Sequence, residues 1–257
     1  GNTNMAVAAS LNNYAVLHYN LGKYNESEKE FNDAIAVIKT NKLQEAMPYA
    51  IVLNNQAMLY QSMGNYEAAV KVLLQAMTLS AKLESAKARN QLKFLSNLAL
   101  LYQQMGKYAE AEKIYLELDK KLDKGKPEQA NMLNNYAILS LLMKKEDKVE
   151  SMLKQSTGIY KSSMGESSPA YAKVISDLGN FYRHKARYAE AEPLLQQALQ
   201  IREEVLGTNH PMYVQSQEDL ALLHWKQKDF TTSISLYKTV MEKTLDFINS
   251  YFAPMSE

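Results

Sequence analysis

The chain has 257 residues, of which 46% are hydrophobic and 22% charged, ample apolar content for a continuous core. A net charge of +1 supplies no general field for nucleic acid or anionic lipid, and the absence of cysteine excludes disulfides, thiolate metal sites and a thiol nucleophile. No apolar run reaches the length of a membrane span, and nine glycines and six prolines leave room for long helices.

A small residue recurs six times in one local pattern, at Ala15, Ala57, Ala99, Ala137, Gly179 and Ala221, with intervals of 42, 42, 38, 42 and 42 residues. A period of this length predicts a stack of helical hairpins, because each hairpin can bury its apolar face only against its neighbours. The first copy, over about 8–40, carries Ala15, His18, Gly22, Tyr24, Ser27, Phe31 and Ala34. The second, over about 50–83, repeats the offsets with Ala57, Tyr60, Gly64, Tyr66, Ala69, Leu73 and Ala76, and the third, over about 92–124, with Ala99, Tyr102, Gly106, Tyr108, Ala111, Tyr115 and Leu118. The fourth, about 130–161, is degenerate: Ser140 and Glu146 stand where aromatics recur and Val149 where alanine does. The fifth, about 172–206, returns to Gly179, Tyr182, Tyr188, Ala191, Leu195 and Ala198. The sixth, about 214–252, has Ala221, His224, Phe230, Ser233, Tyr237 and Val240.

Each copy reads as two antiparallel helices. Small residues at the crossing let the backbones approach, and aromatic and leucine side chains three or four positions away fill the flanks. Gly22, Gly64 and Gly106 fall where the first helix must turn, a place suited to a left-handed backbone, and Lys144, Ala186 and Lys228 fall there in the later copies. Pro127, Pro169 and Pro211 each lie ten residues before a small residue, which places them at helix starts. The fold class expected is all-α: an α-α superhelix, a right-handed solenoid of about six hairpins plus a C-terminal helical extension, running through 1–257 as a single domain.

This constellation resembles the tetratricopeptide repeat over about 8–240, although the standard unit is about 34 residues long. The phrase Ala191-Glu192-Pro193-Leu194-Leu195, followed by Ile201-Arg202-Glu203-Glu204-Val205-Leu206-Gly207, looks like the 42-residue variety of kinesin light chains and many bacterial proteins. The resemblance implies a right-handed stack whose first helices line a concave groove that holds protein or extended peptide, with no cofactor and no catalysis.

One column on those helices invites a ligand. Two residues before each small residue lie Asn13, Asn55, Asn97, Asn135, Asp177 and Asp219. Amides in such a ladder can donate to and accept from an extended peptide backbone; they can equally tie adjacent helices together. One residue after the small column come Val16, Met58, Leu100, Ile138, Asn180 and Leu222, as groove floor or as core between helices. Four residues after it, Arg183 and Trp225 make the C-terminal end cationic and aromatic, and Trp225, the single tryptophan, is the natural anchor. The four histidines lack the helical spacing of a zinc site, so no metal is expected.

Leu245, Ile248, Tyr251, Phe252 and Met255 continue an apolar stripe beyond the sixth copy. The stripe either folds back on that copy or is covered by a downstream domain packing on Ile248, Tyr251 and Phe252. Residues 247–257 look like the junction between such repeats and a caspase-like CHAT domain in some bacterial proteins. That resemblance implies an alternative role, as the sensing or substrate-docking arm of a protease whose catalytic residues lie beyond Glu257. The expected partners are thus a protein or extended peptide, with no nucleic acid and no membrane span; a cytoplasmic location is preferred, with export left open by the non-methionine start.

Overall fold

The computed structural model describes residues 2–83 and 87–252. Among them are twelve helices and no strand: α1 (Asn2–Asn20), α2 (Tyr24–Thr40), α3 (Met47–Ser62), α4 (Tyr66–Lys82), α5 (Lys87–Gln104), α6 (Tyr108–Lys121), α7 (Pro127–Leu142), α8 (Val149–Met164), α9 (Pro169–His184), α10 (Tyr188–Leu206), α11 (Pro211–Lys226) and α12 (Phe230–Phe252). The odd-numbered helices are the first helices of the six repeats and the even-numbered ones the second, so the all-α solenoid class is as expected. The chain forms two compact units, Gly1–Leu122 and Asp123–Glu257.

Within each hairpin the small columns meet. Ala15, Ala57, Ala99, Ala137, Gly179 and Ala221 are buried, as are their partners Ala69, Ala111 and Ala191 on the second helices. Serine takes the partner position in the first and last repeats without leaving a hydroxyl unpaired. Ser27 Oγ donates to the Ala15 carbonyl at 2.8 Å, and Ser233 Oγ to the Ala221 carbonyl at 2.9 Å. At Gly179 the crossing leaves no room for a side chain: a Cβ there would stand 2.9 Å from Leu195 Cγ and Cδ2.

The turn between the two helices holds a left-handed residue in every repeat. Gly64 has φ +75° and Gly106 φ +73°, and the non-glycine residues of the later repeats adopt the same left-handed form, Lys144 at +58°, Ala186 at +57° and Lys228 at +66°. The reason is the hydrogen-bond closure that ends the first helix. The N–H of the following residue reaches back five positions, Asn65 to Tyr60, Lys145 to Ser140 and Arg187 to Tyr182, at 2.8, 2.8 and 2.9 Å. That closure requires a left-handed residue between helix and partner whatever its side chain.

Pro127, Pro169 and Pro211 open α7, α9 and α11, where the missing N–H costs nothing. Ser168 Oγ and His210 Nδ1 cap two of these starts, accepting from the backbone N–H of Tyr171 and Met212. The short interval between Ala99 and Ala137 has a local cause, since α6 has 14 residues where α4 has 17 and α10 has 19. The degenerate fourth repeat differs in another way: α8 begins only at Val149, three positions later than its counterparts, because Glu146, Asp147 and Lys148 remain in the turn.

Three apolar clusters show how repeats join inside each unit. Val52 and Leu59 of α3 pack with Phe31, Ala34 and Ile38 of α2, and Phe94, Leu98 and Leu101 of α5 pack with Leu73 and Ala76 of α4. In the second unit Leu178 and Phe181 of α9 pack with Val149 and Leu153 of α8, and Leu220 and Leu223 of α11 with Ala191 and Leu195 of α10. Every such junction sets the first helix of one repeat against the second helix of the repeat before it.

The C-terminal stripe does not fold back. Helix α12 runs without a break to Phe252, and Leu245 and Ile248 are exposed on it. A helix with no interior glycine or proline has nothing at which to reverse. The side chains of Tyr251 and Phe252, and Met255 altogether, lie outside the described residues.

Candidate functional site

The amide column lies on the first helices, and Asn55, Asn97, Asp177 and Asp219 of it bond to the neighbouring repeat. In the first unit Asn55 Nδ2 donates to Asn12 Oδ1 at 3.0 Å and Asn97 Nδ2 to Asn54 Oδ1 at 2.7 Å. In the second unit Asn134 Nδ2 donates to Asp177 Oδ2 at 2.7 Å, and Ser176 Oγ to Asp219 Oδ2 at 2.9 Å. Each bond spans 43 residues, joining the position before the ladder in one repeat to the ladder position in the next. A second rung recurs two turns further along in the first unit, where Tyr19 OH meets Ser62 Oγ at 3.0 Å and Gln61 Nε2 donates to Gln104 Oε1 at 2.7 Å.

These rungs use only part of what the ladder offers. An asparagine has two N–H donors and a carbonyl with two lone pairs. Asn97 spends one donor on Asn54, and Asn55 spends one donor on Asn12 while accepting from Asn54 Nδ2 at 3.3 Å. Asn55, Asn97 and Asn135 are half-buried and Asn13 is exposed, so capacity remains on the solvent side.

The acids at the C-terminal end differ from each other. Asp177, half-buried, also accepts from Lys173 Nζ at 3.0 Å. Asp219 is buried, and burial pushes its carboxyl above the ordinary range, opposed by hydrogen bonds from Ser176 and Asn180 and by the charges of Arg183 and Arg202. Arg202 is buried too, its Nη1 donating to Ser216 Oγ at 2.6 Å and to the Met212 carbonyl at 3.1 Å, and desolvation lowers its pKa.

The remaining residues of the expected site share the same helices. Met58 and Leu100 are half-buried on α3 and α5, as is Ile138 on α7. Arg183 holds its guanidinium against Asn180, with Nε and Nη2 at 3.2 and 2.9 Å from Oδ1. Trp225 is 51% exposed, its ring edge on to Phe230 at 5.0 Å. In the second unit Asp177, Asn180 and Arg183 lie on α9 and Trp225 on α11; in the first, Asn55 and Met58 lie on α3 and Asn97 and Leu100 on α5.

Sequence reasoning missed the partners of the ladder, Asn12, Asn54, Asn134 and Ser176. A signal for them was present in the doubled pairs Asn12-Asn13, Asn54-Asn55 and Asn134-Asn135. It also missed an open depression on the first unit between α3 and α4, lined by Tyr49, Leu53, Lys71, Leu74 and Leu79 among others. Among the described residues no group of three His, Asp or Glu side chains is placed to hold a metal ion. No helix of those residues is long and apolar enough to cross a membrane.

The tetratricopeptide repeat model matches residues 6–79, 48–118 and 171–243. No curated protein matches the chain by sequence. Among solved structures, BtubC (BKLC) from P. vanneervenii is similar over 90% of this chain and 91% of its own, at 18% identity and a TM-score of 0.64. The Rap conjugation gene regulator of the plasmid pLS20, solved in complex with the Phr* peptide, is similar over 96% of this chain and 65% of its own, at 14% identity and a TM-score of 0.70. The apo quorum sensor NprR from B. thuringiensis covers 91% of this chain and 75% of its own, at 14% identity and a TM-score of 0.63. At these identities the likeness is one of fold.

Proposed function

The chain belongs to the tetratricopeptide repeat family, and on that premise we propose that it is a non-catalytic scaffold that binds an extended stretch of another protein along its first helices. The observation that carries the reading is the column of half-buried apolar residues, Met58 and Leu100 in one unit and Ile138 and Leu222 in the other, running beside amides and acids on the same helices. An extended backbone needs donors and acceptors at regular intervals, and its side chains need apolar floor between them. Trp225 is the anchor: a large aromatic, half in water before binding, gains most from being covered. Arg183, one repeat earlier in the same column, supplies a cation for an acidic side chain or a terminal carboxylate. The structure of Rap with its Phr* peptide supports the reading by likeness of fold. The 42-residue kinesin light chain-like variety is the subtype we assign. The caspase-linked reading rests on residues 247–257, of which 253–257 lie outside the described residues, and it is not carried further.

Selection of peptides from a display library against the intact chain tests the proposal. Enriched peptides should bind about tenfold or more weakly to Trp225→Ala, the loss typical of an anchor residue, while the unfolding transition stays in place. Asn55→Ala with Asn97→Ala is a poorer probe, because it also removes two rungs between repeats. Affinities unchanged by Trp225→Ala, Arg183→Ala and Met58→Ala together would defeat the proposal.

A further inference from the structure

The joint between the fifth and sixth repeats buries charge where its counterparts bury none. Arg202 of α10 is buried, and its Nη1 crosses the joint to Ser216 Oγ of α11 at 2.6 Å and to the Met212 carbonyl at 3.1 Å. The equivalent pairs within the two units are Ile38 and Val52, Ser80 and Phe94, and Tyr160 and Val174, all buried and uncharged. Asp219 of α11 is buried in the same joint and accepts from Ser176 Oγ of α9 at 2.9 Å. Its counterparts Asn55, Asn97 and Asp177 are only half-buried.

The two buried charges do not pair. Arg202 feels Asp219 and Asp177 as charges and not as hydrogen-bond partners, and its buried Nε has no partner among the described residues. Burial works against the ionised form of both groups, pushing the Asp219 carboxyl up and the Arg202 guanidinium down. A buried cation and carboxylate without good mutual geometry lose more in hydration than their attraction returns, and water entering the joint restores that hydration. Opening is therefore cheaper here than at a joint closed by apolar side chains, which opening would only expose.

The backbone supplies a pivot. Gly207, which ends α10, has φ +80° and ψ +163°, a conformation open essentially to glycine alone. Gly165 holds the same form at the end of α8, with φ +81° and ψ +164°. The joints before and after the fifth repeat thus share a pivot and differ in their interiors. Helices α11 and α12 are tied to each other by Ser233 Oγ on the Ala221 carbonyl and by Trp225 against Phe230.

We propose that the joint between the fifth and sixth repeats is a hinge at which α11 and α12 swing as one body away from α9 and α10, and that a bound peptide closes it. The closure rests on the binding reading above: Arg183 lies on α9 and Trp225 on α11, so a peptide held by both spans the joint and favours its closed form.

Hydrogen exchange of the 257-residue chain, read segment by segment by mass spectrometry, tests the hinge without any peptide. Amides of α11 and the first turns of α12 should exchange together, about tenfold or more faster than those of α9. Arg202→Leu with Ser216→Val gives the joint an interior like that of Ile38 and Val52. In this double variant, its fold verified by circular dichroism, exchange in α11 and α12 should slow by about tenfold or more while α9 stays unchanged. Equal rates in α9 and α11 of the unaltered chain would overturn the hinge, as would a folded double variant in which α11 exchanges no more slowly. A display-selected peptide whose binding requires Trp225 should slow the same amides. A peptide that binds by fluorescence anisotropy without slowing them would overturn the closure and leave the binding reading standing.

Discussion

Three residues of the second unit sit in a backbone conformation that favours glycine, and replacing them should stabilise that unit. Lys144, Ala186 and Lys228 hold the left-handed turn that Gly64 and Gly106 hold in the first. The left-handed form costs a residue with a Cβ about 1–2 kcal/mol. Glycine removes that cost but frees the unfolded chain, which returns about 0.4–1 kcal/mol, so each substitution should gain roughly 0.5–1 kcal/mol. The three positions lie in successive repeats and share no hydrogen-bond partner, so Lys144→Gly, Ala186→Gly and Lys228→Gly together should add about 2 kcal/mol. With a urea slope of about 1–3 kcal/mol per molar, the midpoint moves up by about 1 M. Trp225, the only tryptophan, lies on α11 and reports the second unit by fluorescence, separately from the helical signal of the whole chain. The reverse change, Gly64→Ala, should cost a similar amount through the backbone alone, because nothing lies within 4 Å of the added Cβ. A midpoint that falls or stays fixed in the triple glycine variant would refute the reasoning.

Two further outcomes follow from particular contacts. Gly179→Ala should destabilise by about 1–3 kcal/mol in chemical denaturation despite alanine's better helix propensity, because the Cβ meets Leu195 at 2.9 Å in a packed crossing; Leu195→Ala in the same chain should remove part of that cost. Glu150 is held at a pKa of about 2, first by the hydrogen bonds of Arg187 and next by that of Lys154. Its folded pKa lies below that of the unfolded chain, so its stabilisation is complete above the ordinary carboxylate range and is lost as the pH falls through about 2. Glu150→Gln should therefore cost up to about 1 kcal/mol at neutral pH, a surface network's worth, and the gap in denaturation midpoint should close on acidification.

The hairpins were legible because their period is written in small residues, and helix starts because proline marks them at Pro127, Pro169 and Pro211. The turn was legible as a place but not fully as a geometry: glycine announces a left-handed residue, whereas Lys144 and Ala186 are left-handed only because the helix-ending hydrogen bonds demand it. The late start of α8 was hidden, since Val149 matched the small column while the turn before it held Glu146 and Asp147 back. The amide ladder was visible as a column, but not its direction. Whether Asn55 points at a ligand or at Asn12 depends on how two helices pack, and a single chain position carries no information on that.

The emission of Trp225 during titration with a display-selected peptide tests the central claim most directly. Covering a half-exposed indole should shift its emission to shorter wavelength, saturating at the dissociation constant that the peptide's own fluorescence anisotropy gives. Peptide binding, seen by anisotropy, that leaves the Trp225 emission unmoved would contradict the account.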